Sequence, residues 1–176
     1  MAIDRYPLEN LTLMLSDERY GASSHPDSNA RQLESAGFNP KEATFIPVLI
    51  NEPLRITIDR YTQLVTQQFT KNEIIIGQLG IGTDGHTAGI LPNSPATKVS
   101  DVLVAGYKGK DFCRITLTFP ALRQLNSAFV FAYGASKKTA LQQLKDETLA
   151  LETQPAQILK AIPETYIYND ELEGMA

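Results

Sequence analysis

Short apolar runs that alternate with helix-forming segments limit the fold of this chain more than any other feature. The runs at Leu11–Leu15, Glu73–Leu79 and Ser127–Tyr133 have the length and the apolar content of buried strands. Apolar residues recur every three to four positions over Leu54–Phe69, as in an amphipathic helix. The alternation predicts an α/β fold with three layers and a mainly parallel sheet, and the length suits a single domain, residues 1–176.

Three polar or glycine-rich segments follow predicted strands. They are Asp17–Arg19, Gly80–His86 and Gly134–Lys138. Ligands of parallel α/β sheets bind beyond the carboxyl ends of the strands. We therefore expect these segments to share one edge of the sheet, with the strand Ile74–Leu79 at its centre.

The glycine-rich segment after this strand holds the strongest candidates for catalysis. His86 carries an imidazole, the side chain best suited to proton transfer near neutral pH, and Asp84 could orient this imidazole or bond locally to the turn. Gly82 and Gly85 permit backbone N–H groups to face an anion or a developing oxyanion. The alternative is a structural glycine turn with a surface histidine, but the position after an Ile-rich strand favours a site.

Charged residues supply candidate anion ligands. Asp17 and Arg19 point to the same side of an extended segment, so Asp17 could orient the guanidinium. Arg114 reaches the same edge only if its strand, Ile115–Phe119, runs antiparallel to its neighbours. Lys137 lies where a helix begins, a position that favours anions. Each of these residues alone could equally be a solvated surface charge.

Composition excludes several classes of protein. With 16 basic and 20 acidic residues the net charge is −4, so we expect no general nucleic-acid binding. One cysteine and two histidines argue against a metal site, and neither a phosphate-binding loop nor a dinucleotide fingerprint occurs. No apolar run has the length of a membrane span, and no secretory signal is visible. These observations predict a cytoplasmic protein that acts on a small molecule without a cofactor.

Four motifs identify a family. Leu79–Ser94 (LGIGTDGHTAGILPNS) resembles the LGxGxDGHTASLFP signature of 6-phosphogluconolactonases, which lie in the glucosamine-6-phosphate isomerase superfamily. Leu15–Leu33 resembles the family's DERxVP…DSN segment, Arg114–Leu122 its RITLT segment, and Phe131–Leu141 its glycine-to-lysine turn. The resemblance implies a parallel-sheet α/β fold and hydrolysis of 6-phospho-D-glucono-1,5-lactone to 6-phosphogluconate, in the oxidative pentose phosphate pathway and without a metal.

The resemblance also assigns roles to residues. His86 resembles the family's catalytic histidine, which would deprotonate the attacking water and return the proton to the leaving oxygen. Asp17 and Arg19 match the acid and the arginine of the site. Arg114 and Lys137 match basic residues that hold the phosphate end of the substrate.

The chain departs from the family at its start. Complete members begin with a strand–helix unit and a Gly-Gly loop that holds the phosphate, whereas only residues 1–16 precede Asp17 here and no Gly-Gly pair occurs. We therefore expect an N-terminally shortened fold and a weakened phosphate site. We also expect exposed apolar surface at the Leu11–Leu15 strand or its covering helix, covered by a second copy in a homodimer.

Two alternatives to an active lactonase follow. The first is a catalytically impaired protein that binds a phosphosugar or a partner. The second is a glucosamine-6-phosphate isomerase or deaminase, which the sequence disfavours because Leu91-Pro92-Asn93 offers no acid where deaminases carry Asn-Glu-Pro.

Overall fold

A computed structural model describes residues 8–173, which form eight strands and four α-helices. The strands are β1 (Thr12–Met14), β2 (Asp17–Arg19), β3 (Thr44–Ile46), β4 (Ile76–Gly80), β5 (Val104–Lys108), β6 (Cys113–Leu117), β7 (Ser127–Ala132) and β8 (Glu164–Asn169). The helices are α1 (Asn29–Ser35), α2 (Leu54–Lys71), α3 (Phe119–Leu122) and α4 (Lys138–Asp146). Shorter 3₁₀ helices cover Pro95–Lys98, Ala135–Lys137 and Pro155–Ala161.

Local sequence signals explain the helices that flank the site. The Ser28 hydroxyl caps α1 by accepting a hydrogen bond from the N–H of Arg31 at 3.2 Å, and Gly37 follows the helix with φ of +88°. Helix α2 buries one face, which includes Tyr61 and Val65, as its apolar spacing predicts.

The strands form two parallel sheets and one antiparallel sheet. β1 pairs with β3, and β4, β7 and β8 pair in that order, all in parallel. β2, β6 and β5 pair in that order and run antiparallel. The predicted α/β class with parallel sheets is therefore confirmed. β6 runs antiparallel to its neighbours, which is the direction that Arg114 needs to reach the same edge as the other candidate ligands.

The predicted position of β4 is wrong. Within residues 8–173, β4 is an edge strand of its sheet and pairs only with β7, which lies in the centre between β4 and β8. The apolar, Ile-rich sequence predicted a central strand, yet the side chains of Ile74 and Ile76 are 72% and 59% exposed. After β4, turns occupy the segment up to residue 94, and a helical turn begins only at Pro95.

The β4–β7–β8 sheet is covered on one face only within residues 8–173. Alternate residues such as Leu79 and Val130 join one hydrophobic core with the buried face of α4. The opposite face, here called the uncovered sheet face, carries stacked aromatic pairs whose ring centroids lie 5.2 Å apart. It consists of Ile76, Gln78, Phe129, Phe131, Tyr166 and Tyr168. Parallel sheets normally have both faces covered, so this face has the composition of an interaction surface.

Candidate active site

A cavity of about 380 Å³ lies where the segments after β1, β4 and β7 meet. Asp17, Gly82 and Lys137, one residue from each predicted segment, all line it, so the three segments meet at one cavity although their strands belong to different sheets. The full lining is Ser16, Asp17, Gln78, Leu79, Gly80, Ile81, Gly82, His86, Ala88, Phe131, Tyr133 and Lys137. In the described part of the chain β1 pairs only with β3 and β4 only with β7, so among these residues the cavity lies beside unpaired strand edges.

His86 and Asp84 form a hydrogen-bonded pair at the cavity. Nδ1 of His86 lies 2.6 Å from Oδ1 of Asp84, and the same oxygen accepts the backbone N–H of His86 at 3.1 Å. Partial burial alone would raise the pKa of Asp84, but the hydrogen bonds from His86 outweigh it and hold this pKa below its ordinary value. The ionised carboxylate can only accept, so Nδ1 carries the proton and Nε2 is the nitrogen left with a free lone pair.

Gly82 and Gly85 support this pair, and their N–H groups are not available to a ligand. The N–H of Gly82 donates to the carbonyl of His86 at 2.8 Å, and that of Gly85 donates to the carbonyl of Gly82 at 3.0 Å. The expectation that both N–H groups face an anion is therefore wrong. A Cβ atom at Gly82 would overlap the His86 ring, and Gly85 has φ of +80°, so both positions require glycine for reasons of local packing.

The rest of the loop is anchored to the strands around it. The Thr87 hydroxyl donates to the carbonyl of Gly80 at 2.9 Å. The N–H of Gly89 donates to Oγ1 of Thr116 on β6 at 2.9 Å, and its carbonyl accepts from the Tyr107 hydroxyl on β5 at 2.7 Å. These bonds fix the loop from both sides, so the histidine is held on rigid elements.

Asp17 contributes a second carboxylate to the cavity. Burial raises the pKa of Asp17 above its ordinary value, and the positive charges of Arg19 and Arg114 offset this only in part. No ion pair within 4.0 Å joins Asp17 to Arg19, so the prediction that it orients this guanidinium directly is wrong. Asn29 instead fixes the backbone here, because its side-chain amide donates to the carbonyl of Asp17 at 2.9 Å.

Glu18, between the two predicted site residues, has a structural role that the sequence analysis did not recognise. Its side chain is fully buried, and its carboxylate accepts four hydrogen bonds of 2.6–3.0 Å. The donors are the N–H groups of Arg19, Asn29 and Ala30 and the hydroxyl of Ser28. Glu18 therefore ties β2 to the start of α1 and fixes the backbone that presents Asp17 and Arg19.

We expect Glu18→Gln to lower the free energy of unfolding by about 2–3 kcal/mol, because an amide NH₂ replaces an oxygen that faces donors only. Urea denaturation followed by circular dichroism measures this loss. Glu34→Gln is the matched control, since this α1 side chain is 58% exposed, and its change should stay within about 0.5 kcal/mol. Equal losses in the two variants would contradict the role given to Glu18.

Arg19 and Arg114 lie directly opposite each other on β2 and β6. Their guanidinium carbons lie 5.8 and 5.9 Å from the ring centroid of Phe112, and neither forms an ion pair within residues 8–173. Nη1 of Arg19 donates to the carbonyl of Asp27 at 3.0 Å, and its buried Nε has no protein partner. Like charges in cross-strand positions repel, so this arrangement favours an anion. Neither arginine lines the cavity itself; both lie beside Asp17.

Lys137 is the basic residue that does line the cavity. It ends the 3₁₀ turn Ala135–Lys137, which Gly134 introduces with φ of +97°, and α4 follows at once. The N–H of Gly134 donates to Oδ1 of Asp170 at 2.8 Å, which fixes the start of the turn. Among the described residues no carboxylate lies within 4.0 Å of the Lys137 ammonium group, so the charge of Lys137 is available to a ligand.

The described residues offer neither a metal cluster nor a membrane-spanning helix. In residues 8–173, no group of three or more His, Cys, Asp or Glu side chains is placed to hold a metal ion. Over the same range, no helix has both the length and the apolar character needed to cross a bilayer. The expected absence of a cofactor stays a prediction.

Sequence comparisons group the chain with known proteins. Residues 2–167 match the family described as glucosamine-6-phosphate isomerases/6-phosphogluconolactonase. The chain is 30% identical over 168 residues to 6-phosphogluconolactonase of Synechocystis sp., covering 89% of this chain and 68% of the relative. It is 29% identical over 156 residues to that of Nostoc sp., covering 82% and 64%. The chain thus spans about two thirds of the length of these curated relatives.

Solved structures share the fold. A 6-phosphogluconolactonase from Shewanella baltica superposes with a TM-score of 0.82 at 18% identity, over 94% of this chain and 74% of that one. The structure of 6-phosphogluconolactonase from Thermotoga maritima gives a TM-score of 0.75 at 22% identity, over 94% and 75%. At these identities the likeness establishes the arrangement of the elements.

Proposed function

Since the chain belongs to the glucosamine-6-phosphate isomerase/6-phosphogluconolactonase family, we propose that it hydrolyses 6-phospho-D-glucono-1,5-lactone to 6-phosphogluconate, the lactonase step of the oxidative pentose phosphate pathway. The hydrogen bond of 2.6 Å between His86 and Asp84, at a cavity that also holds Lys137, carries this proposal. A general base and a cation around one cavity suit a substrate with an ester carbonyl at one end and a phosphate at the other.

In the proposed reaction, Nε2 of His86 takes a proton from water as its oxygen bonds to the lactone carbonyl carbon. The tetrahedral intermediate then collapses, the bond from this carbon to the ring oxygen breaks, and His86 returns the proton to that oxygen. Asp84 keeps the proton on Nδ1 and stabilises the imidazolium that forms between the two steps. Water and the lactone are consumed, and the open acid is the product.

We assign Asp17 to the same site as a second negative charge that stabilises the protonated His86, with which it interacts electrostatically. The buried position of the Asp17 carboxyl is unfavourable for folding. A carboxyl group whose pKa is higher in the folded than in the unfolded chain costs stability as the pH rises above about 4.

Asp17→Asn should therefore raise the melting temperature at pH 7 while lowering kcat about tenfold or more. The gain in stability should shrink as the pH falls below about 4, where the wild-type carboxyl is neutral as well. Melting curves at pH 7 and pH 4 beside a lactonase assay measure both effects. A variant less stable than the wild type at pH 7 would contradict the assignment.

The phosphate is assigned to Lys137, Arg19 and Arg114, whose positive charges have no acidic partner within 4.0 Å among the described residues. Lys137 reaches it from the cavity, and the arginine pair reaches it from the side of Asp17. A phosphate between them would also relieve the repulsion of the two guanidinium groups.

A direct assay tests the function. Purified chain is added to freshly generated 6-phosphogluconolactone, and the rate above spontaneous hydrolysis is measured. Turnover that depends on enzyme concentration supports the proposal. Calorimetric binding of 6-phosphogluconate without turnover would instead support the binding protein, and release of ammonia from glucosamine 6-phosphate would support the deaminase.

We also propose that the protein forms a homodimer through the part of the uncovered sheet face that does not line the cavity, around Ile76, Phe129 and Tyr166. The face is apolar, with Glu164 as its charged neighbour at the start of β8, so two copies can bring it together without strong charge repulsion. An isologous interface of this kind places the same residues on both sides. Leu11, on the strand where the sequence predicted such a surface, is 42% exposed, but more large apolar side chains are exposed on the uncovered sheet face.

A cytoplasmic location stays a prediction.

Tyr166→Lys should disrupt this dimer, because it places two like charges in the paired interface and removes a stacked ring. Sedimentation equilibrium at micromolar concentration should show a dissociation constant at least about tenfold higher than for the wild type. A wild-type chain that is monomeric at tens of micromolar would contradict the proposal.

A further inference from the structure

Gln154 is a buried polar residue that the proposed reaction does not use. Its side chain is 2% exposed and lies directly before the 3₁₀ helix Pro155–Ala161. A buried amide is unfavourable unless all its hydrogen bonds are made. Here Nε2 donates to the carbonyl of Ala140 at 2.8 Å, and Oε1 accepts from the amide of Gln157 at 2.6 Å.

The same side chain touches the catalytic turn. A Cβ atom built on Gly85 would lie 2.6 Å from Cγ of Gln154, so the two residues are in close contact with no space between them. The carbonyl of Gly85 also accepts the N–H of Ala156 at 2.9 Å. The segment around Gln154 therefore supports the residue immediately before His86.

The opposite end of the side chain holds α4, the helix that follows directly after Lys137. Ala140 lies three residues after Lys137, about one turn further along, and its carbonyl receives the amide of Gln154. Gln157 adds to this contact, because its amide also lies 3.2 Å from the carbonyl of Glu147, just after α4. One buried side chain thus connects the turn of His86 with α4, which follows directly after Lys137.

We propose that Gln154 is a positioning residue that sets the spacing between His86 and Lys137, and so the distance between the reacting carbonyl and the phosphate that the site accepts. The inference rests on the proposed function, since it needs His86 as base and Lys137 as phosphate ligand. Cγ of Gln154 packs on Gly85 and Nε2 donates to the carbonyl of Ala140, so this side chain is fixed at both ends. A displacement of about 1 Å between a catalytic group and a substrate-binding group costs on the order of a hundredfold in rate.

The test compares two substrates that differ only in the phosphate: 6-phosphogluconolactone and glucono-1,5-lactone. Gln154→Met keeps the length of the side chain and its contact with Gly85 but loses the bonds to Ala140 and Gln157. We expect kcat/KM for the phosphorylated lactone to fall about ten- to hundredfold, mainly through KM, while kcat/KM for the plain lactone changes less than about threefold. The pH profile should not move, because the pair of His86 and Asp84 is intact.

Gln142→Met is the matched control, because it is the same change on an exposed position of α4, and it should leave both substrates unchanged. If Gln154→Met does not fold, Gln154→Asn takes its place, since it keeps the amide and shortens the connection by one carbon. Equal losses on both substrates, or no loss on either, would overturn the role of Gln154. A wild-type chain without turnover of either lactone would overturn the proposed function, and the inference with it. The wild-type result therefore tests the proposed function, and the variant result tests the role of Gln154.

Discussion

Replacing His86 with alanine should lower lactone hydrolysis by about a hundred- to ten-thousandfold, the usual contribution of a positioned general base. The reason is structural. Nδ1 of His86 is bonded to Asp84 at 2.6 Å, which leaves Nε2 as the proton acceptor at the cavity, and no other imidazole lines that cavity. The quantity to measure is kcat/KM for 6-phosphogluconolactone after subtraction of the spontaneous rate.

His25→Ala is the control for this experiment, because its ring lies against the backbone of Arg19 and does not line the cavity. We expect it to keep catalysis. Asp84→Asn should show an intermediate loss, since an amide can donate to Nδ1 and so favour the wrong tautomer. Full activity in His86→Ala would remove the histidine from the mechanism.

Replacing Arg19 and Arg114 together with methionine should produce the second large effect. Each hydrogen bond to a charged group contributes about 1.5–3 kcal/mol, so two lost bonds correspond to about two to four decades in affinity for the phosphorylated ligand. We expect the loss in KM for 6-phosphogluconolactone and in calorimetric binding of 6-phosphogluconate. Binding by the wild type should also weaken with salt, and the double variant should lose most of that dependence.

Arg55→Met serves as the control for a lost surface charge, since this α2 side chain is 92% exposed and remote in sequence from the site. It should leave KM unchanged. If the double arginine variant also keeps its KM, the phosphate is held by Lys137 without the arginines, and Lys137→Met should then carry the whole loss.

Local sequence patterns predicted those parts of the site that depend on close neighbours. Asp84 and His86 are two residues apart in a turn, so their contact needs no knowledge of the rest of the fold. The Ser28 cap of α1 is a signal of the same local kind. The meeting of the three segments at one cavity followed from the general rule that ligands bind at the carboxyl ends of parallel strands.

Features that depend on distant parts of the chain were not predictable in this way. Glu18 looked solvated in a charged triplet, because the donors that bury it come from residues 28–30. The edge position of β4 depends on which strands flank it, and its own sequence does not encode that. Gln154 gave no signal at all, since a glutamine bonded to a helix carbonyl and one facing solvent look the same in a sequence.

The uncovered sheet face also gives the protein a built-in optical probe. The chain has seven tyrosines and no tryptophan, so its intrinsic ultraviolet emission comes from tyrosine alone. Tyr166 and Tyr168 lie on this face, 40% and 44% exposed and stacked on Phe129 and Phe131. Any molecule that covers the face removes water from these two phenols, so its arrival can be followed by unlabelled fluorescence and by acrylamide quenching.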